Sequence, residues 1–424
     1  MNKIIYTLLF SLSVYNGYAQ QNEYYYQNSV YKGDIRTVQL FREGDELSNP
    51  VIHLGGNDRL LLKFDDLSGE VKNYYYTIIH CDAGWNESFI LQNEYLDGFP
   101  DNPVDDYHLS LNTTFSYVHY QVEIPNDKVQ LKLSGNYVIV VYEDNDKDKK
   151  VLSKRFSVEE PLTGIEATVR KATLDAYKGE NQEVDFTIYL QNLQVENPVQ
   201  DIKVVLEQNN RWDNAIKNLK PQYVRGNTLI YDYNKENVFP GGNEFRYFDI
   251  RTIRNPGEGV FRIDFERPYY HVTLIPDAPR TGKKFNYYKA MNGNYVVESQ
   301  DQSVQNPDLE CDYVFVHFSL DLPSILLGGT VNVFGALSDW NANKSNEMTW
   351  NFQDGRYELT MLLKEGYYNY QYAWVEKGSP TADLTNIEGS YWEANNNYQI
   401  YVYYHGISDR YDRLVGFQQF SINR

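Results

Sequence analysis

Cysteine is nearly absent. The chain of 424 residues has two, Cys81 and Cys311, too few for a disulfide framework. They fall in what read as separate domains, so each is expected as an isolated buried thiol. The fold must then hold through its hydrophobic cores. Helix formers at 3.6-residue spacing are equally scarce, which excludes a helical bundle. Beyond the N-terminus no apolar run is long enough for a transmembrane helix. Basic side chains are in deficit, 39 Lys and Arg against 58 Asp and Glu, for a net charge of -19. Such a surface repels nucleic acid and anionic headgroups, which argues against nucleic-acid binding and direct membrane insertion.

Reactive constellations are missing as well. The seven histidines form no H-x-x-x-H or H-x-H pair, and there is no G-x-S-x-G elbow or Gly-rich phosphate loop. His80 and Cys81 are neighbours on an expected strand, so their side chains point to opposite faces. A thiolate–imidazole pair needs them within hydrogen-bond reach, and zinc would need further ligands at suitable spacing. Cys81 therefore reads as a core residue, with Trp85 packing over the turn at Gly84. Asp144, Asp146 and Asp148 alternate like the start of a Ca²⁺ loop. Lys149 stands where the turn needs Gly, however, and Arg155 where the bidentate Glu belongs, so Glu143 to Lys150 reads as a solvated hairpin tip. No catalytic residue, metal site or cofactor is expected, and the chain reads as a binding protein, not an enzyme.

What is abundant is tyrosine, 39 residues, clustered in short runs between Gly, Asn and Asp turns. Tyr74-Tyr75-Tyr76-Thr77-Ile78-Ile79 and Tyr398-Gln399-Ile400-Tyr401-Val402-Tyr403-Tyr404 are rich in the aromatic and β-branched side chains that suit a pleated surface. A Tyr ring buries apolar area while its hydroxyl stays wet, so such strands are also expected to offer contact surfaces. The fold class expected is all-β, with several consecutive immunoglobulin-like β-sandwich domains.

Residues 1–19 have the layout of a secretory signal peptide: Met1-Asn2-Lys3, a short apolar stretch from Ile4 to Tyr15, and the small-x-small site Gly17-Tyr18-Ala19. No cysteine follows that could carry a lipid anchor. An N-terminal sandwich is expected over 24–158, ending at the linker Val158-Glu159-Glu160-Pro161-Leu162-Thr163-Gly164. A middle β domain is expected over 162–300, with its far junction in the polar stretch Asn292 to Leu309. A C-terminal sandwich over 308–424 opens at Cys311-Asp312-Tyr313-Val314-Phe315-Val316. The units share no repeated motif.

The third unit carries the most specific local pattern. Val333-Phe334-Gly335-Ala336-Leu337-Ser338-Asp339-Trp340-Asn341 is followed by the Asp354-Gly355 turn and by Gly366-Tyr367-Tyr368-Asn369-Tyr370. This resembles the early-set immunoglobulin-like domains of glycogen- and starch-binding modules. The resemblance implies Trp340 and Trp374 as sugar-stacking platforms with Asn341 as an amide partner. Leu337 stands where that family has Phe, and the expected Lys after the last strand is missing.

A longer set of motifs spans the mature chain: His80-Cys81-Asp82-Ala83-Gly84-Trp85, Glu94-Tyr95-Leu96-Asp97-Gly98-Phe99, Arg211-Trp212-Asp213-Asn214, Phe239-Pro240-Gly241-Gly242-Asn243-Glu244 and Asp409-Arg410-Tyr411-Asp412-Arg413-Leu414-Val415-Gly416. By these the chain resembles the Plug protein family of the Bacteroidetes type IX secretion system. The resemblance implies a periplasmic protein, monomeric on its own and associated with the outer membrane through its partner. That partner is the very large translocon barrel of the outer membrane, whose periplasmic end the plug closes. It supplies no catalytic or cofactor residues and does not identify the translocon-contact residues. The alternative reading is an exported glucan-binding protein acting through the third unit.

Overall fold

The computed structural model describes residues 26–422. The signal peptide expected over residues 1–19 lies outside the described residues. The chain is β throughout, in paired sheets that enclose separate cores.

The first sandwich sets a sheet containing Lys150–Glu159, Gly135–Glu143 and Tyr74–Cys81 against one of Ile35–Arg42, Leu60–Asp66, Val118–Ile124 and Asp106–Leu109. Successive strand residues face opposite sides, and in Gly135–Glu143 both sides are covered. Tyr137, Ile139 and Val141 enter the sandwich core, whereas Val138 joins a second cluster with Tyr26, Cys81 and Trp85. That double burial explains why these strands read as almost unbroken apolar runs. The segment 143–150 forms the expected hairpin tip, where Lys149 pairs with Asp144.

Strand pairing redraws the two later units. The sheet of Gly164–Lys171, Asn181–Tyr189 and Thr228–Tyr231 packs against a second sheet ordered Arg211–Lys217, Ile202–Gln208, Asn397–Tyr404, Arg413–Ser421. Half of that second sheet comes from the far end of the chain, with Val204 opposite Val402. The third sandwich lies between these pieces. It joins Arg246–Asp249, Gly366–Glu376, Tyr295–Val297 and Gly329–Phe334 against Val260–Glu266, Tyr269–Leu274, Tyr313–Leu320, Arg356–Lys364 and Thr349–Asn351.

The boundaries expected at 162–300 and 308–424 are thus corrected. The middle sandwich is discontinuous, and the third is inserted into it. The polar stretch 292–309 holds the strand Tyr295–Val297, bonded to Gly366–Glu376, and is a connection inside the third sandwich. Its composition reflects exposure of a crossing loop, and a partner strand far along the chain leaves no trace in local composition.

The tyrosines also differ from expectation. Among the described residues the largest fully buried side chains are all tyrosines, and apart from Tyr231, whose buried hydroxyl has no partner among the described residues, most of their hydroxyls bond within the protein instead of with solvent. Tyr74 donates to Asp66, Tyr137 to the Leu133 carbonyl, Tyr368 to the Lys364 carbonyl, and Tyr370 and Tyr372 to Asp277. A buried hydroxyl without a partner would cost about 1–3 kcal/mol. These rings act as internal struts.

Candidate functional site

The strands deliver an unusual density of charged and hydroxyl groups to the three seams between sandwiches. Between the first and third, Asp65 is buried at the inward end of Leu60–Asp66. Its Oδ2 accepts from Lys364 Nζ at 2.6 Å and from the Tyr313 hydroxyl at 2.6 Å, and His119 Nδ1 lies 2.6 Å from Oδ1. Burial pushes the Asp65 carboxyl up, but Lys364 and His119 more than reverse that and hold it below the usual carboxylate range. Nearby, the Asp312 carboxylate accepts from the Thr114 amide and hydroxyl.

Between the first and middle sandwiches, Asp412 accepts from the Ala83 amide at 2.9 Å and from Lys203 Nζ at 2.7 Å. Asn136 Oδ1 accepts from the Tyr403 hydroxyl at 2.9 Å, and Arg413 pairs with Glu160. Between the middle and third, Arg211 donates to the Ala382 carbonyl at 2.7 Å, and Asp213 accepts from the Ala382 amide. Within the third, buried Glu388 lies between Arg246 and Arg280. Burial raises its carboxyl, and the two guanidinium groups bring it below the usual range.

Residues from all three sandwiches line a central cavity of about 140 Å³, among them Trp85, Arg155, Glu207, Trp212, Trp340 and Tyr401. The Arg155 guanidinium sits 4.5 Å over the Trp85 ring, which meets Trp212 edge-on at 5.2 Å. Burial pushes the Arg155 pKa down to about 10 and that of Glu207 up to about 8. Glu207 Oε1 and Trp85 Nε1 have no hydrogen-bond partner among the described residues. The cavity is large enough for several waters that could satisfy them.

The residues expected to bind sugar lie at or near these seams. Trp340 is half-buried, edge-on to Phe245 and Phe334. A Cβ on Gly293, whose φ is +87, would come within 2.2 Å of the Trp340 ring, so glycine there admits the indole. Asn341 spends its amide on the Asn28 carbonyl at 2.9 Å, and neighbouring Asp339 pairs with Lys154 of the first sandwich. Trp374 lies opposite Val331 and packs on the third core, in a different cluster from Trp340. The Trp340 loop is therefore part of the joint with the first sandwich.

His80 and Cys81 face opposite sides as expected. His80 packs among Tyr95, Tyr137 and Tyr411, with its pKa lowered to about 4 by burial. Cys81 and Cys311 are both free and buried, their thiols pushed up by burial. Asp65, Lys364, Glu388 and Asp412 were missed by sequence reasoning. A usable signal existed for Asp65: Leu60-Leu61-Leu62-Lys63-Phe64-Asp65-Asp66 places charges inside an apolar strand, where a partner must be supplied.

Among the described residues no three His, Cys, Asp or Glu side chains gather as metal ligands, and no helix is long and apolar enough to cross a membrane. The polar groups at the seams are engaged in joining the sandwiches, so the class defined is an all-β multidomain protein whose charged groups serve assembly. Residues 35–160 match the model of the type 9 secretion system plug protein 1st domain, and the chain belongs to the plug protein family of the type IX secretion system. Among solved structures, a hypothetical protein from Parabacteroides merdae ATCC 43184 is 36% identical. The match covers 93% of this chain and 99% of that one, with a TM-score of 0.90. A marsupial T cell receptor, 11% identical, covers 92% of this chain and 100% of that chain, but its TM-score of 0.15 carries no argument. No curated protein matches the chain.

Proposed function

We propose that the protein is a non-enzymatic periplasmic plug that binds the periplasmic end of the type IX translocon barrel and seals it while the pore is idle. Membership of the plug family carries this reading. The construction supports it. A plug must resist deformation as a unit, and three sandwiches tied at their seams by the buried Asp65–Lys364 ion pair and by the hydrogen bonds of Asp412 with Ala83 and of Arg211 and Asp213 with Ala382 form such a body. Buried pairs of this kind fix geometry more than they add stability. The contact must also release, which suits an acidic, largely polar exterior over a broad apolar face.

The test is affinity purification of the tagged full-length protein from gently solubilised envelope of its own organism. Co-elution of one very large outer-membrane barrel in near-equal amount is the expected result. A protein recovered free of any such barrel overturns the reading.

A further inference from the structure

Four large apolar side chains stand out from loops that are linked to one another: Phe89 is 96% exposed, Leu91 68%, Phe99 70% and Ile407 100%. Phe89 and Leu91 precede the helical turn Gln92–Tyr95, and Phe99 follows the strand Leu96–Gly98. Ile407 lies between the two strands of the terminal hairpin, in the middle sandwich. The loops are fastened to one another. Arg410 donates to the Phe89 carbonyl at 3.2 Å and pairs with Glu94 at 2.7 Å, and Glu94 also accepts from the Leu91 amide. Gln92 reaches the Pro100 carbonyl, and Asn102 donates to the Phe99 carbonyl at 2.8 Å. Apolar tips on loose loops fold back onto nearby surface, whereas these are held outward across a seam between two sandwiches.

At ~150–250 Å² for each large side chain, the four expose on the order of 600 Å². That is at the upper end for the largest patch on a monomer and falls short of the ~800 Å² per partner of a stable interface. It suits the centre of a reversible contact. Charge decides against self-association. Glu87, Glu94, Asp97 and Asp409 flank the tips and outnumber the nearby cations: Arg410 pairs with Glu94 and Lys128 with Asp105, while Lys132, which donates to the Asn93 carbonyl, keeps its charge. Two copies meeting here would oppose like charges. The complementary surface is an apolar seat ringed by Lys or Arg.

Resting on the plug reading above, we propose that this tip is the surface that meets the translocon barrel, through an apolar seat with a basic rim on its periplasmic side. The experiment compares Phe89→Glu and Ile407→Glu with Phe352→Glu, a control at a residue 84% exposed on the third sandwich. Each full-length tagged protein is expressed in its own organism and purified from envelope. Because these side chains make few internal contacts, unchanged circular dichroism and melting temperature are expected for all three. The first two should retain about tenfold less barrel than wild type, the scale of an interface hot spot, and the control as much as wild type. A photoreactive residue at position 407 should cross-link to the barrel. Wild-type yield from all variants, with no cross-link, overturns this inference and leaves the plug reading standing. A dimer of the purified protein that Ile407→Glu dissolves also overturns it. Absence of the barrel even with wild type overturns the plug reading itself, and this inference with it.

Discussion

Replacing Lys364 by Met tests whether buried charge holds the first and third sandwiches together. Lys364 Nζ lies 2.6 Å from Asp65 and also donates to the Asp308 carbonyl at 2.7 Å. Both members of the ion pair are almost fully buried. Methionine keeps the length and apolar stem, so little cavity forms and the main loss is the cation. Removing one partner of a buried pair costs about 3–5 kcal/mol. Asp65 keeps the Tyr313 hydroxyl and His119, which places the expected loss near the lower end, about 3 kcal/mol.

The pH dependence is distinctive. In the native protein the Asp65 carboxyl is depressed, so its contribution is complete above the unfolded value of about 3.9. That contribution is lost as pH falls through the lower folded value. In Lys364→Met, burial without the cation raises the carboxyl instead. The difference between wild type and variant should therefore be largest at neutral pH and shrink towards pH 3. Urea unfolding monitored by tryptophan fluorescence supplies the measurement, with Asp65→Asn and the double variant completing a cycle. A seam that opens early would appear as a separate transition, since a body of several domains need not unfold in one step. A loss under about 0.5 kcal/mol at pH 7, of the size seen at ordinary surface sites, or a coupling near zero would refute the argument.

Glu207→Gln should stabilise the protein increasingly between about pH 5 and 9. The native carboxyl is raised to about 8, so wild type loses stability as pH climbs from the unfolded value towards the folded one, on the order of a few kcal/mol in all. Equal pH profiles for the two proteins would show that Glu207 is solvated. Cys81 and Cys311 are buried and free and should resist a thiol reagent until denaturant is added; rapid labelling of either in native buffer contradicts this packing. Trp340→Ala should cost roughly 2–3 kcal/mol by removing a half-buried indole. Neither it nor wild type should be retarded in a gel containing soluble glucan, and retardation of wild type alone would return the sugar reading to Trp340.

Local features were legible because they depend on neighbours in sequence. The strands around Tyr74 to Ile79 and Tyr137 to Tyr142, the hairpin tip at 143–150 and the linker after Val158 appear where alternation and turn residues put them. Cys81 faces away from His80 for the same reason. Pairing between distant strands was not legible, because Val204 and Val402 carry no mark of each other. The tyrosine runs led to contact surface, since sequence shows a ring and a hydroxyl but not the carbonyl or carboxylate that receives the proton. The Trp340 motif specified a turn, and Gly293 and Asn28 decided what filled it.

The broken middle sandwich orders events in time. Its second sheet stays half-built until Asn397–Tyr404 and Arg413–Ser421 arrive, after the whole third sandwich, which lies between its two parts in the chain. The same hairpin brings Asp412 and Arg413 to the first sandwich and sets Ile407 beside the Phe89 loop. A chain emerging from its N-terminus can therefore complete the first sandwich early, but reaches its working shape only with the last strands. Fragments cut before residue 397 would lack both the closing sheet and one side of the exposed tip.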